Sequence, residues 1–224
     1  MVKIAFNVIS QLAYNVFLKK PHASLHMTDT HSARIREIPY NYTSYSDREI
    51  IIRFLGEDSW RIIEKLRGER RTGRSARMLF EVLGDMWVIK RNPFVKDDLL
   101  NNRKRREALI NALKHRLKQV ELRADGNIDA LTLHSNCLAA ITTFEKELQS
   151  QIALRQKTIK ILSKITSTNN IDFSGLARVS HSTDATDWRV AMPFVVLKPD
   201  TEGEVAAIVR ACIKLGLTII PRGG

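Results

Sequence analysis

The residues with the clearest chemical potential lie at the carboxyl end, where Leu217-Thr218-Ile219-Ile220 runs into Pro221-Arg222-Gly223-Gly224. A glycine turn after a buried strand brings backbone N–H groups up to a phosphate. Two basic runs offer a different chemistry. Arg67 to Arg77 holds five arginines and two glycines in eleven residues. It reads either as a phosphate-binding loop, since arginine forks match phosphate oxygens, or as a solvated basic loop that pairs with carboxylates elsewhere. It is not a Walker loop, because no Gly-Lys-Ser/Thr follows at the required spacing. Arg103-Lys104-Arg105-Arg106 falls near a helix start, where cations oppose the helix dipole, so either an acidic group faces the run or it is a solvated face. No Ser/His/Asp set, carboxylate pair or His/Cys cluster stands out, so no catalytic residue and no metal ligand is assigned. His181 and Asp184 precede the carboxyl-terminal pattern, and His181 is expected to be a satisfied loop histidine. Cys137 and Cys212 stand far apart among apolar residues and read as two reduced, buried thiols of a cytoplasmic protein.

The elements that must hold these residues can be read in chain order. Hydrophobic residues make up 44% and charged residues 27%, a composition that can build a core rather than stay disordered. The net charge of +12 is uneven: residues 1–124 carry 25 Lys and Arg against 14 Asp and Glu, and residues 125–224 carry 11 against 10. A basic first half suits solubility or acidic partners. Ile4 to Leu18 is apolar but interrupted, too short for the ~20 residues of a membrane span, and Lys19-Lys20-Pro21 stands where a signal-peptide cleavage site would be. Ile4, Val8, Leu12 and Val16 have the spacing of a short amphipathic helix. Met27 opens a polar stretch, and residues 1–26 are expected to be an extension ahead of a natural start there.

Ser46-Asp47-Arg48-Glu49 is a capping box that starts a helix with Ile50, Ile51, Phe54 and Leu55 on one face. A second piece, recapped by Asp58 or Ser59, carries Trp60, Ile62, Ile63 and Leu66. The pattern then predicts a short helix over Met78–Gly84 and a strand over Met86–Arg91. Asp97 or Asp98 is expected to cap a long basic helix ending at Arg123, and Asp129 to open another reaching about Ile165. Together they predict an antiparallel helical hairpin. Thr166 to Asn170 reads as a linker. Beyond it, Phe194–Leu197 suits a doubly buried strand, Thr201-Glu202-Gly203-Glu204 a second capping box, and Gly216 the glycine after a helix. Leu217–Ile220 is the next strand. A strand–helix–strand unit of this length implies a parallel pair, with ligands beyond the carboxyl ends of the strands.

At these residues the chain resembles the vanillyl-alcohol-oxidase-type (PCMH-type) FAD-binding oxidoreductases, most of all the FAD subunits of glycolate oxidase and D-lactate dehydrogenase. The matching pattern is Asp184, Trp188-Arg189, Pro193, Val195-Val196 and Pro199, then Glu204-Val205, Ile208-Val209, Gly216 and Pro221-Arg222-Gly223-Gly224. It covers residues 184–224, under a fifth of the chain. The preceding part resembles the amino-terminal module of very large bacterial FAD/iron–sulfur dehydrogenases. The resemblance implies that Pro221, Arg222, Gly223 and Gly224 begin the loop around the FAD pyrophosphate. The third glycine and the threonine of the family loop do not follow, nor do the substrate domain and the iron–sulfur ligands.

The expected fold is therefore α+β. Residues 1–26 form an extension, 27–168 a basic and mostly helical module with a long hairpin, and 169–224 a truncated βαβ start of an FAD-binding domain. The expected function is that of the amino-terminal fragment of an FAD-dependent oxidoreductase acting on a 2-hydroxy acid of the glycolate or D-lactate type. FAD binding would be incomplete and the chain alone inactive. A downstream polypeptide would complete the domain. The expected location is cytoplasmic or peripheral to the inner membrane. The alternative is a basic interaction module for nucleic acid or an acidic protein partner, although no nucleic-acid motif is present.

Overall fold

A computed structural model describes residues 4–10, 46–70, 73–182 and 192–223. The chain divides into two compact units, Tyr42–Ala153, and Met1–Asn41 together with Leu154–Gly224.

The first unit is helical. Helix α1 (Asp47–Leu55) begins with the predicted capping box complete: Ser46 accepts from the Glu49 N–H, and Glu49 accepts from the Ser46 N–H at 2.9 Å. Helix α2 (Glu57–Gly68) follows at once. Helix α3 (Gly73–Arg91) is continuous over nineteen residues, so the expected strand at Met86–Arg91 is instead helical. Leu79, Val82, Leu83, Met86 and Trp87 recur at helical spacing and are all buried. That shared face outweighs the ~1 kcal/mol by which Gly84 disfavours a helix interior. Helix α4 (Pro93–Asn101) and helix α5 (Arg103–Leu122) replace the single helix expected from Asp97 or Asp98 to Arg123. Their caps are Asn92 and Asn102, whose side chains accept from backbone N–H groups of the first turns, and Pro93 takes the first helical position, where no N–H is needed.

Asp125 and Gly126, both at positive φ, turn the chain into helix α6 (Ile128–Leu162). Glu121 faces His134 at 4.0 Å and Lys114 meets Glu145 at 3.1 Å, so α5 and α6 run antiparallel as the predicted hairpin. The core gathers Ile51, Leu83, Met86, Leu113, Ile141 and Phe144. Cys137 is fully buried within it, and burial pushes its thiol up to about 12.

The division between units falls inside α6, whereas the sequence placed the change at Thr166–Asn170. The last turns of α6 explain this: Leu154, Ile161 and Leu162 pack with the core of the second unit. The expected linker is tied down as well, since Asn170 donates to Thr166 at 2.9 Å and to Asp200 at 2.7 Å.

The second unit holds a four-stranded sheet. Strand β1 (Ile4–Ser10) is extended, so these residues do not form the expected helix. Leu12, Val16 and the rest of that stretch lie outside the described residues. Strand β2 (Ile171–Asp172) leads to helix α7 (Gly175–Ser180), strand β3 (Val195–Leu197), helix α8 (Glu202–Lys214) and strand β4 (Leu217–Gly223). The sheet order is β2-β3-β1-β4, with β1 antiparallel to both β3 and β4. Strands β3 and β4 therefore run parallel to each other, as expected for a strand–helix–strand unit, but β1 stands between them. Val195, Val196 and Leu197 are fully buried, and Ile208, Cys212 and Leu217 pack with the sheet from α8 and β4. Neither bond of the predicted second capping box forms. Thr201 makes no side-chain cap bond, and Glu204 accepts instead from the Asp200 N–H at 3.2 Å. Helix α8 ends as expected, with Gly216 at φ 68° just past its last residues, a conformation glycine adopts without strain. Among the described residues, no helix is long and apolar enough to cross a membrane.

Candidate functional site

The candidate cofactor residues sit at the carboxyl end of β4. Pro221, Arg222 and Gly223 continue the strand instead of leaving it as a turn. The reason is a neighbour: Phe6, Ala5 and Ile4 are their register partners on β1. Gly224 lies outside the described residues, as do Asp184, Trp188 and Arg189. The Arg222 guanidinium reaches α7, where Nη1 donates to the Ser180 carbonyl at 3.3 Å.

Helix α7 is built by short-range bonds that hold this neighbourhood. Ser174 caps it by accepting from the Ala177 N–H at 3.2 Å. The buried Arg178 donates from Nε to the Pro193 carbonyl at 2.7 Å, which fixes the approach to β3. His181 Nδ1 lies 2.8 Å from the Ala177 carbonyl. A carbonyl can only accept, so Nδ1 carries a proton and donates in this contact. His181 is thus the satisfied loop histidine the sequence suggested. Arg178 gave no signal in the sequence, because its partner is a backbone carbonyl fifteen residues away. Arg155 is equally buried, with its guanidinium 5.1 Å from the Phe173 ring, and Phe173 meets Phe194 edge-on at 5.3 Å. Cys212 is inside the core of this unit, and burial pushes its thiol up to about 11. It is therefore no nucleophile near neutral pH. This corner brings the Arg222 guanidinium beside the β1-paired backbone of Pro221–Gly223.

The two basic runs of the helical unit are differently placed. Arg67 to Arg77 is mostly helix, with Arg67 in the last turn of α2, and Arg74 and Arg77 at the start of α3. Residues 71–72 lie outside the description. Glu69 and Arg70 form a turn between the two helices, with Arg70 at φ 55°. Arg67 stacks its guanidinium 5.1 Å from the Trp60 ring and 5.6 Å from Phe80, and Arg77 pairs with Glu81 at 3.2 Å. The acidic groups that the second run called for belong to the chain itself. Arg103 pairs with Glu107 at 2.7 Å and Arg105 with Asp98 at 2.8 Å, and each hydrogen bond raises the arginine's pKa further. Arg106 is buried and donates to the Leu99 carbonyl at 2.7 Å. A small apolar pocket of about 40 Å³ lies among Ile63, Leu66, Leu79, Phe80, Val120 and Leu133, and its walls offer almost no polar surface. Among the described residues, no group of three or more His, Cys, Asp or Glu could hold a metal ion.

A family described as "protein of unknown function (DUF3683)" matches residues 33–146. The match takes in the described helical unit up to the middle of α6 and leaves out the sheet. No curated protein and no solved structure matches the chain.

Proposed function

The chain belongs to the DUF3683 family, and from that premise we propose that its second unit opens the FAD-binding domain of an oxidoreductase acting on a 2-hydroxy acid, with the family's helical module carried ahead of it. The observation that carries this reading is the β3–α8–β4 unit. Its two strands run parallel, β3 is wholly buried, and Pro221-Arg222-Gly223 stands at the carboxyl end of β4. Open α/β sheets bind their ligands at that end.

The residues present suit one part of FAD. The Arg222 guanidinium and the Gly223 backbone match a pyrophosphate, and helix α7 positions Arg222 through the Ser180 carbonyl. Bound FAD would supply the hydride-accepting ring, and the protein's task would be to hold and orient it. The competing reading is a basic module for nucleic acid or an acidic partner. Arg67, Arg77, Arg103, Arg105 and Arg106 are all engaged within their own unit.

Calorimetric titration of the chain with FAD and with ADP tests the reading. Weak binding of both, lowered about tenfold or more in Arg222→Ala by loss of a charge-assisted contact, is the expected result. Binding that Arg222→Ala leaves unchanged, or that Arg67→Ala and Arg103→Ala abolish, would overturn it.

A further inference from the structure

Pro221, Arg222 and Gly223 are extended where their residue types favour a turn, and the strand beside them is the cause. Each has a register partner on β1: Phe6 for Pro221, Ala5 for Arg222 and Ile4 for Gly223. The same strand holds β3 and β4 apart. Two parallel strands joined by one thirteen-residue helix ordinarily lie side by side, since consecutive elements tend to be neighbours. Here β1 fills the place between them, with Asn7 paired to Val196 on one side and to Ile220 on the other. Its grip is unequal: three residues face β3 and seven face β4. In sequence, β1 is separated from both partners by the whole helical unit, so it can leave the sheet without breaking any local element.

We propose that Ile4–Ser10 is a displaceable strap that controls the phosphate-binding end of β4. With the strap in place, the backbone of Pro221–Gly223 is laid along Ile4–Phe6 and cannot curl around an anion. With the strap out, β3 and β4 meet directly and Pro221–Gly223 can turn. The ligand half of this inference rests on the reading of the second unit as an FAD-binding domain; the exchange of strands does not. The strap and a pyrophosphate group compete for one stretch of backbone, so each weakens the other's hold.

The test uses the full chain with Asn7→Cys and Ile220→Cys, which are direct register partners across an antiparallel pair, where Cβ atoms lie about 4.5–5.5 Å apart. Cys137 and Cys212 are fully buried and stay out of the reaction. Oxidation locks the strap and reduction frees it, within one protein. Binding of FAD and ADP is expected to vanish in the oxidised state and return on reduction. A second variant, Asn7→Pro, denies β1 pairing at its centre and is expected to bind ADP at least tenfold more tightly than the parent. Its amides at Val195–Leu197 should stay protected from hydrogen exchange. Measurable binding of equal affinity in the oxidised and reduced states would overturn the proposal. Loss of protection at Val195–Leu197 in Asn7→Pro would also overturn it, since β1 would then be a permanent part of the sheet. Should protection persist in Asn7→Pro while Arg222 and Gly223 exchange faster and no nucleotide binds, the strap stands and the flavin reading falls.

Discussion

Replacing Arg106 separates a structural arginine from a binding one. Its side chain is 9% exposed, and its guanidinium donates to the Leu99 carbonyl at 2.7 Å and to the Leu100 carbonyl at 3.4 Å. Those carbonyls belong to the last turn of α4, which lacks intrahelical partners and favours a cation. A hydrogen bond to a charged group contributes about 1.5–3 kcal/mol, and only the shorter contact has good geometry. Losing the aliphatic stem adds about 0.8 kcal/mol per buried methylene, while relief of a buried charge offsets part of the sum. Arg106→Ala should therefore cost the helical unit roughly 2–3 kcal/mol. Arg106→Met, which keeps the stem, should cost roughly half as much. Arg105→Ala, which breaks an exposed pair, should leave the midpoint where it is. Urea unfolding followed by the fluorescence of Trp60 and Trp87, in a Trp188→Phe background, reads the unit. The slope of the transition should not change. A midpoint for Arg106→Ala equal to that of the parent, together with lost retention of nucleic acid, would refute the reasoning and make the run a binding surface.

The two thiols should ignore an alkylating reagent at pH 8 in the folded chain and react at once in urea. Their sign on stability follows from burial. Folded values of about 12 for Cys137 and about 11 for Cys212 lie above the ordinary 9.0. Below pH 9 both states keep the proton and nothing changes; above it the unfolded chain loses the proton first, so stability falls as pH climbs from 9 toward 11–12. A thermal midpoint that is flat across that range after correction for lysine and tyrosine titration would count against the burial. Gly216→Ala places a side chain at φ 68° and should lower the stability of the second unit by about 1 kcal/mol, which a thermal melt of the variant checks.

Local signals were legible wherever a residue type meets a backbone need in its own neighbourhood. The Ser46 capping box, the Gly216 helix end and the spacing of Ile110, Leu113 and Leu117 along α5 could all be read from the chain. Short apolar runs were not. Met86–Arg91 has the residue types of a strand, and its helical spacing shows only when joined to Leu79, Val82 and Leu83. Ile4–Ser10 is compatible with either period, and its choice is made by β3 and β4, partners at the far end of the chain. That is also why the end of β4 reads as a turn in sequence and is extended in the fold. Asn92 and Asn102 rather than Asp97 or Asp98 cap the middle helices, because the break at Asn101–Asn102 carries neither glycine nor proline to announce it.

The central claim is that the carboxyl end of β4 meets the pyrophosphate of FAD, and hydrogen exchange with and without saturating FAD tests it most directly. Slowed exchange at Arg222 and Gly223, with the helices of the first unit unchanged, is the predicted result. Protection confined to α2, α3 or α5, or none anywhere in the chain with nucleotide present in large excess, would contradict it.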